Sequence, residues 1–167
     1  MELLVIRHAI AEDREAFART EKDDARRPLT KEGRRKMARA SRGLRVLVPE
    51  LARIVTSPAD RARETAEIVA ATYRCAPPIE AAVLAPDSDA APVIDWLALH
   101  KGDRVAVVGH EPQLGLLVAR LLSGRERSFV QLKKGAVCLL DLGDEPQAGS
   151  ATLLWALQPG QLRRIRR

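Results

Sequence analysis

Three short apolar runs that end in polar residues are the clearest feature of the hydrophobic pattern. The first is Leu3–Ile6, within a strand expected over residues 2–6, and is followed by Arg7 and His8; the second lies in "RIVTSP", and the third, "RVAVVGH", ends at His110. Uninterrupted apolar runs of this length are typical of strands buried on both faces of a sheet. The pattern therefore predicts three buried strands whose carboxyl ends carry candidate functional side chains.

Segments with apolar residues at helical spacing lie between and after these runs. Thr30 has the side chain of an N-cap for a helix that continues beyond residue 44. Pro58 is expected at the first position of the next helix, and Pro92 and Pro112 are expected to open two more. Residues 9–28 are polar, and a long loop with a short helix is expected there.

The end of the chain predicts a hairpin. "AVCLLDL" and "ATLLWAL" are strand-like runs that a polar loop over residues 143–150 separates, and a Pro-rich link earlier in the chain has a short strand near Ile79. Strands that alternate with helices and are continuously apolar predict an α/β fold with three layers, α/β/α, around a mostly parallel sheet. The 167 residues are expected to form a single domain over residues 1–167.

Composition and charge narrow the classes of partner. The net charge of +6 favours an acidic partner or substrate, while aromatic residues are only 3% of the chain, so base stacking and nucleic-acid binding are not expected. No apolar run approaches the roughly 20 residues of a membrane span, and the first run is too short for a signal peptide. We therefore expect a cytoplasmic protein without membrane contact, and the sequence leaves its oligomeric state open.

Four side chains on separate segments form the candidate site. Arg7 and His8 end the first strand, Arg61 lies near the start of the helix after the second, and His110 ends the third. In open α/β sheets, ligands bind beyond the carboxyl ends of the strands, so these segments are expected to converge on one pocket. Arginine forks match phosphate oxygens, and the N-terminus of the helix after His110 adds free backbone N–H groups.

The same side chains have the chemistry of phosphoryl transfer. Imidazole has an unperturbed pKa of about 6.5, so most of it is uncharged and nucleophilic near neutral pH. Arginines that neutralise the phosphoryl oxygens would make a metal ion unnecessary. The three histidines are far apart in the chain, and Cys75 and Cys138 form no matching ligand pattern, so neither a metal site nor a cofactor is expected.

Four segments carry a resemblance to a known family. "RHA", "SPADRARETA" and "VVGHEP", in this order and at these junctions, resemble the signature segments of the histidine phosphatase superfamily, which has the phosphoglycerate mutase-like fold. "DARRPLTKEG" and the short chain resemble its SixA-type branch, the phosphohistidine phosphatases. The resemblance extends from Leu3 to about Leu157, which is nearly the whole chain.

The resemblance implies roles for the four side chains. His8 would be the nucleophile that becomes phosphorylated, Arg7 and Arg61 would bind the phosphoryl oxygens, and His110 would act as a hydrogen-bond donor or an electrostatic partner. It also implies a phosphatase without metal or cofactor. The substrate would be a phosphohistidine on a protein, with a role in a phosphorelay, or a small phosphorylated molecule such as a phosphoester or sugar phosphate.

The carboxylic acid that protonates the leaving group is not fixed by the sequence. Asp87, Asp89 and Glu111 are candidates by position, and Glu12 and Asp13 follow the first motif closely enough to be considered. An alkyl phosphate leaves as an alkoxide, so the absence of an acid would cost roughly 10²–10⁴-fold in rate. A phosphohistidine leaves as imidazole, which is a good leaving group once protonated, so a weak acid suits a P–N bond better than a P–O bond.

A second reading starts from the basic segment between Arg26 and Arg45. Such segments are usually solvated helix faces, but Arg35, Arg39 and Arg42 fall on one helical stripe and permit docking of an acidic protein. A basic, non-catalytic binding module for acidic proteins or nucleic acid is therefore the alternative of another class. We further expect the tail "LRRIRR" to be frayed, and Arg63 and Glu64 to lie on a solvated helix face.

Overall fold

The computed structural model describes residues 1–100 and 102–166, and a six-stranded sheet runs through its centre. The strands are β1 (Glu2–Arg7), β2 (Arg53–Thr56), β3 (Ile79–Glu80), β4 (Arg104–Gly109), β5 (Val137–Asp141) and β6 (Thr152–Leu157). Their order across the sheet is β3-β2-β4-β1-β5-β6. The first four strands run parallel, whereas β5 is antiparallel to both β1 and β6, so the sheet is mostly parallel with a closing hairpin at one edge.

Helices cover both faces of this sheet. They are α1 (Arg14–Ala18), α2 (Lys31–Leu47), α3 (Asp60–Tyr73), α4 (Ala91–Leu99), α5 (Gln113–Ser123) and α6 (Pro159–Leu162), with 3₁₀ turns at Asp24–Arg26 and Ala82–Leu84. Successive residues of β1 and β4 alternate between two buried cores, one under α2 and α3 and the other under α4 and α5. The predicted three-layer α/β/α architecture is therefore confirmed.

Most of the predicted helix starts agree with the structure. The Thr30 hydroxyl accepts a hydrogen bond from the Gly33 backbone N–H at 2.9 Å and caps α2, Pro92 lies in the first turn of α4, and Pro112 directly precedes α5. The position of Pro58 is a correction. Residue 59 keeps an extended backbone because its N–H is held by the Ser57 hydroxyl at 3.3 Å, so α3 begins at residue 60 rather than at the proline.

The tail does not fray as expected over residues 162–166, and its last residue, Arg167, lies outside the described residues. Leu162 is completely buried, and Ile165 packs against the core under α2 and α3. A Cβ atom on Gly43 would lie 1.9 Å from the Leu162 carbonyl oxygen, so only glycine permits this approach of α6 to α2. The tail was predicted to fray from its charge, which takes no account of the apolar residues that anchor it.

Glu64 is a second correction, since it does not lie on a solvated face. Its Oε2 accepts a hydrogen bond from the Leu29 N–H at 2.9 Å, and its Oε1 binds Arg34 Nη2 at 2.8 Å. It therefore fixes the end of the polar 9–28 segment against α3, a contact between distant parts of the chain. Within the described residues, no helix is long and apolar enough to cross a membrane.

Candidate active site

The parallel pairing of β1 with β4 brings the two histidines together. Arg7 is paired with Gly109 in the strand register, so the residues that follow, His8 and His110, leave neighbouring strands at the same edge. The His8 N–H donates to the Gly109 carbonyl at 3.0 Å, and the centroids of the two imidazole rings are 5.1 Å apart with 53° between their planes. Both side chains are buried, although the rings belong to residues about a hundred positions apart in sequence.

Arg61 lies beside His8 and His110, and it comes from the segment on the other side of β4. The strand β2 pairs with β4, and α3 begins four residues after β2 ends, which places Arg61 in the first turn of this helix beside the two histidines. Its guanidinium is buried and held by Asp24: Nη1 donates to the Asp24 carbonyl at 2.8 Å and Nη2 lies 3.2 Å from Asp24 Oδ2. Asp24 is also the partner of Arg27, whose Nε donates to it at 2.8 Å.

Arg7 is fixed by the segment that precedes β5. Its Nη1 donates to the Leu132 carbonyl at 2.7 Å, and the Gly135 N–H donates in turn to the carbonyls of Arg7 and His8, each at 3.1 Å. The same segment adds Lys134 to the wall of the pocket. The guanidinium is therefore held by the Leu132 carbonyl, and the Glu111 carboxylate interacts with it electrostatically, while Gly135 fixes the main chain of Arg7 and His8.

These side chains line one pocket of about 460 Å³. Its cationic residues are Arg7, Arg14, Arg27, Arg61 and Lys134, and its carboxylates are Glu12, Asp13, Asp24, Asp87 and Glu111. The two histidines lie in the same lining, so the four predicted site residues are brought together as expected. Since the carboxylates are as numerous as the cations, positive charge is concentrated locally around the histidines and not over the whole pocket.

A threonine hydroxyl joins the strand that carries His8 to the helix that carries Arg61. Thr65 Oγ1 donates to the Arg61 carbonyl at 2.6 Å and accepts from the Ala9 N–H at 3.0 Å. Thr65 is completely buried, so water does not compete for these hydrogen bonds. The relative positions of His8 and Arg61 are thereby fixed from within the fold.

The hydrogen bonds of His8 define which of its nitrogen atoms is free. Nδ1 lies 2.7 Å from the Ala9 carbonyl oxygen, and a carbonyl only accepts, so Nδ1 carries the proton. In the neutral ring, Nε2 then has an unshared electron pair. This is the tautomer that a nucleophilic imidazole requires, and the chain's own backbone selects it.

Burial keeps both imidazoles neutral near physiological pH. Loss of water lowers the pKa of His8 to about 3, and the nearby positive charges of Arg61 and Arg7 act in the same direction. The pKa of His110 is also lowered to about 3, first by burial and then by these two arginines. Burial likewise lowers the pKa of both arginines below its usual value, although guanidinium groups remain charged at any ordinary pH.

Several buried nitrogen atoms of the pocket residues have no hydrogen-bond partner within the described part of the chain. They are Arg7 Nε, Arg61 Nε and His110 Nδ1. His110 is oriented by its other nitrogen, since Nε2 lies 2.8 Å from the Ser57 hydroxyl oxygen. An unsatisfied buried polar group costs roughly 1–3 kcal/mol, which an oxyanion in the pocket would offset. The arrangement thus fits a small, multiply charged anion.

The three candidate acids occupy different environments. Asp87 lines the pocket in a left-handed backbone conformation with φ of 64°, which aspartate tolerates better than most residues. The Asp89 side chain is outside the pocket lining, and its carbonyl accepts a hydrogen bond from Gln113 at 3.1 Å. Of these two, the geometry brings only Asp87 to the other site residues.

Glu111 lines the pocket, but its carboxylate makes structural contacts. Oε1 accepts from the Leu132 N–H at 3.0 Å, and Oε2 accepts from the Gly115 N–H at 3.2 Å in the first turn of α5. It therefore ties the segment that holds Arg7 to the helix after His110. These contacts give Glu111 a structural role beside the start of α5.

Sequence reasoning missed several residues that support the site. Asp24 and Arg27 lie in "DARRPLTKEG", which indicates the branch but no role for either residue, and Ser57, Thr65 and Lys134 have no site signal of their own. Ser57 and Thr65 lie inside the "SPADRARETA" segment, so their presence in that motif was the one available clue. Lys134 comes from a loop whose position depends on the whole sheet, and no local pattern marks it.

The family of the chain follows from comparison with other proteins. Residues 3–84 match the model of the histidine phosphatase superfamily (branch 1). An uncharacterized protein of Picosynechococcus sp. (strain ATCC 27264 / PCC 7002 / PR-6) is 34% identical over 146 residues, which are 86% of each chain. The chain belongs to the histidine phosphatase superfamily.

Solved structures support the branch and the fold. The structure of the protein histidine phosphatase SixA complexed with tungstate has 26% identity and a TM-score of 0.82, and the match covers 97% of this chain and 99% of that one. An alpha-ribazole phosphatase from Shigella flexneri has the same fold, with 18% identity, a TM-score of 0.68 and coverage of 100% and 99%. The predicted phosphoglycerate mutase-like fold and the resemblance to the SixA-type branch are both confirmed.

Proposed function

We propose that the protein is a phosphatase that needs no metal ion and transfers the phosphoryl group of its substrate to His8. The observation that carries this proposal is the pair of buried imidazoles, with ring centroids 5.1 Å apart, in one pocket with the buried Arg61 and the half-buried Arg7. Arg7 and Arg61 bind the phosphoryl oxygens and neutralise the charge that develops on them, as fixed donors in a site with little water. His110 donates a hydrogen bond to the same group from Nδ1.

The first step forms a bond between nitrogen and phosphorus. The free electron pair on Nε2 of His8 attacks phosphorus, and the bond from phosphorus to the leaving atom breaks. That atom keeps the bonding electrons and takes a proton, from an acid in the pocket or from water. The positive charge that His8 acquires is stabilised at Nδ1, which continues to donate to the Ala9 carbonyl.

The second step regenerates the enzyme. A water molecule attacks phosphorus opposite Nε2, the N–P bond breaks, and its electron pair returns to Nε2. The proton of the attacking water leaves with the phosphate product or passes to the pocket's carboxylates. His8 thus returns to the neutral tautomer that the Ala9 carbonyl selects, and inorganic phosphate is released.

The substrate that we favour is a phosphohistidine on a protein. The SixA structure, which is named a protein histidine phosphatase, supports this choice, as does the engagement of both Glu111 oxygens by backbone N–H groups. A P–N bond needs less help from an acid than the P–O bond of an alkyl ester does. Removal of a phosphoryl group from a phosphorelay protein would be the corresponding role.

A small phosphoester or sugar phosphate is the second candidate. The pocket volume of about 460 Å³ lies within the ordinary range for small-molecule sites, and the alpha-ribazole phosphatase shares the fold. For this chemistry, Asp87 is the candidate acid, because it lines the pocket and its carboxylate forms no hydrogen bond or salt bridge with another described residue.

The test of the nucleophile is to trap the phosphoenzyme. Brief incubation with a ³²P-labelled phosphohistidine protein, followed by alkaline quenching, should yield an acid-labile label that maps to His8. His8→Asn should abolish the label and the turnover, with circular dichroism as the check on folding. A variant that still turns over at the wild-type rate overturns the assignment, and binding of acidic proteins without turnover favours the non-catalytic module.

The substrate class is tested by comparing leaving groups. We expect kcat/KM for a phosphohistidine protein to exceed that for an alkyl phosphate by at least about tenfold. Asp87→Asn should lower alkyl ester hydrolysis by roughly 10²-fold and P–N hydrolysis by less than about threefold. Asp89→Asn is the matched control, because the Asp89 side chain is outside the pocket lining, and it should change neither rate by more than about threefold. A preference for alkyl esters would replace the phosphohistidine assignment with the small-substrate alternative.

A further inference from the structure

A second concave surface lies away from the histidines, at the other end of the helices that support them. The carboxyl-terminal half of α2, the corresponding part of α3 and the last described residues enclose a groove of about 1190 Å³. We call this surface the basic groove. It is lined by six arginines, which are Arg39, Arg42, Arg45, Arg74, Arg163 and Arg166.

The charge of the basic groove is unbalanced, unlike that of the pocket. No carboxylate is among its lining residues, and no salt bridge among the described residues involves any of its six arginines. Arg163 does interact electrostatically with the Glu32 carboxylate, but the effect of Arg163 on the pKa of Glu32 is small. The partner of Glu32 is Lys36, whose Nζ lies 2.7 Å from the carboxylate and is the main cause of the lowered pKa. Six guanidinium groups around one concavity repel one another unless an anion lies among them.

Stabilisation of the helices explains only part of this cluster. Arg45 and Arg74 lie at the carboxyl ends of α2 and α3, where a cation interacts favourably with the helix dipole, and Arg45 Nη1 also donates to the Thr72 carbonyl at 2.8 Å. Arg39 and Arg42 lie earlier in α2, and Arg163 follows a short helix that ends at Leu162. Helix dipoles do not account for Arg39 and Arg42, and Arg163 is the C-cap of a helix of only four residues, whose dipole is small.

The floor of the groove is apolar. Between the arginines it is lined by Ala38, Val46, Ile68, Ala71 and Ile165. Ile68 and Ile165 are partly buried hydrophobic residues that pack against the core, so they form a firm surface rather than loose side chains. Arginine is enriched in protein interfaces, where its aliphatic stem covers apolar area while the guanidinium binds carboxylates.

We propose that the basic groove is a docking site for an acidic, amphipathic segment of a partner protein. Apolar side chains of the segment pack on Ile68 and Ile165, and its carboxylates pair with the arginines along both rims. The volume exceeds the usual range for small-molecule pockets, so a chain segment fits the groove better than a metabolite does. This proposal does not depend on the proposed catalytic function.

Two other polyanions match the groove less well. Single-stranded nucleic acid is commonly held by stacking on aromatic rings, and no aromatic residue lines the groove in the described part of the chain. An anionic membrane is a broad surface, whereas these arginines surround a concavity. Both polyanions therefore serve as competitors in the test.

The test uses the full chain and a designed peptide. The probe is a fluorescent 14-residue peptide of Glu and Leu with Leu at helical spacing, and its controls are a scrambled peptide of the same composition and a Lys-Leu peptide. We expect the patterned peptide to bind at least about tenfold more tightly than the scrambled peptide, because only the former presents one apolar face. Equal binding of both would overturn the proposal.

Paired charge reversals locate the binding site. Arg39→Glu with Arg42→Glu should weaken peptide binding at least about tenfold, since both attraction and rim geometry are lost. Arg125→Glu with Arg127→Glu makes the same change in net charge at two exposed residues after α5, and it should alter the affinity less than about twofold. If both pairs weaken binding equally, the peptide responds to overall charge and the proposal fails.

The apolar floor and the competing polyanions complete the test. Ile165→Gln should weaken the patterned peptide at least about threefold and leave the scrambled peptide unchanged. A 15-residue oligothymidylate and vesicles of phosphatidylglycerol are measured against the same variants. If either binds more tightly than the patterned peptide and is lost in the Arg39 and Arg42 variant, that polyanion is the occupant and the acidic-segment proposal is overturned.

Discussion

The pocket and the basic groove both concentrate arginines, but they hold them in opposite ways. In the pocket, Arg7 and Arg61 are buried or nearly so and are fixed by the Leu132 carbonyl and by Asp24. In the groove, Arg39 and Arg42 are exposed on one helix and form no salt bridge within the described residues. The pocket is therefore organised before a ligand arrives, and the groove is not.

This difference matches two kinds of ligand. A fixed guanidinium loses little conformational freedom when a phosphoryl group binds, so its interaction is available to the transition state. An exposed arginine has several rotamers and adapts to carboxylates whose positions vary, at a cost of roughly 0.5–1.5 kcal/mol for each side chain that becomes ordered. The pocket is thus suited to one small anion of defined shape, and the groove to a longer and less regular one.

The largest contrast is expected when the same substitution is made in both regions. Arg61→Ala should lower kcat by about 10²–10³-fold, because it removes a fixed donor to the phosphoryl oxygens. Arg39→Ala should leave kcat within about twofold. Steady-state kinetics with a small phosphoester, together with melting curves for both variants, would measure this. Equal losses in kcat would show that the two regions are not functionally separate.

The two buried histidines of the pocket should make the stability of the protein depend on pH. The pKa of His8 and that of His110 are each about 3 in the folded protein and about 6.5 when unfolded, so the unfolded chain binds more protons between these values. The two neutral rings make their whole contribution to the free energy of unfolding above about pH 6.5, and this contribution is lost as the pH decreases toward 3. At pH 4.5 the loss should be roughly 2 kcal/mol per ring, measured by urea unfolding.

The variant His110→Asn distinguishes protonation of the buried histidines from protonation of carboxylates as the cause of the lower stability at acidic pH. The variant lacks one of the two buried rings, so the drop in its free energy of unfolding between pH 7.5 and 4.5 should be smaller than that of the wild type by about 2 kcal/mol. Arg39→Ala provides the comparison from the groove and should follow the wild-type curve. An unchanged drop in His110→Asn would mean that this ring has the same pKa in the folded and the unfolded protein.

Removing the charge of Asp24 should leave Arg61 less firmly fixed, so that it resembles the arginines of the basic groove in this respect. Asp24→Asn removes the charge that holds Arg61 and Arg27, while the carbonyl of residue 24 still accepts from Arg61. We expect kcat to fall by about three- to tenfold without an increase in KM, because Arg61 remains available to the anion but is less well positioned. An increase in KM alone would indicate that Asp24 contributes to substrate binding.

Ionic strength is expected to give the smallest difference between the pocket and the basic groove, through its effects on catalysis and on peptide binding. Arg61 is buried and Arg7 is half-buried, so raising ionic strength from 50 to 200 mM should change kcat/KM for a small phosphoester by less than about threefold. Peptide binding to the exposed groove should weaken by about three- to tenfold over the same range. Fluorescence anisotropy and initial rates under matched conditions would compare them, and similar responses would contradict the difference in burial.

The sequence predicted the parts of the fold that depend on local pattern. Apolar runs identified β1, β2 and β4, and the capping hydroxyl of Thr30 located the start of α2. Pro58 was misplaced by two residues because a side-chain contact from Ser57 keeps the chain extended. The tail was misjudged because its charges are visible in the sequence, whereas the packing of Leu162 against Gly43 is not.

The site was predictable to the extent that strand ends determine it. Arg7, His8, Arg61 and His110 could be grouped because parallel neighbouring strands share one edge, and the structure brings all four to one pocket. Their catalytic roles remain predictions. The supporting contacts of Thr65 and Asp24 join segments that are distant in sequence, so no single stretch of the chain reveals them.

The close contact between Gly43 and Leu162 makes the spacing of the final segment as important as its composition. The missing side chain at residue 43 leaves room for one carbonyl oxygen, and this contact fixes the register of the last turn of chain on α2. Inserting or deleting a single residue between β6 and Leu162 would rotate that turn, and Arg163 and Arg166 would then point away from Arg39 and Arg42. Two of the six arginines of the basic groove therefore depend on chain length, so two relatives with equally basic tails can differ in whether they have a complete groove.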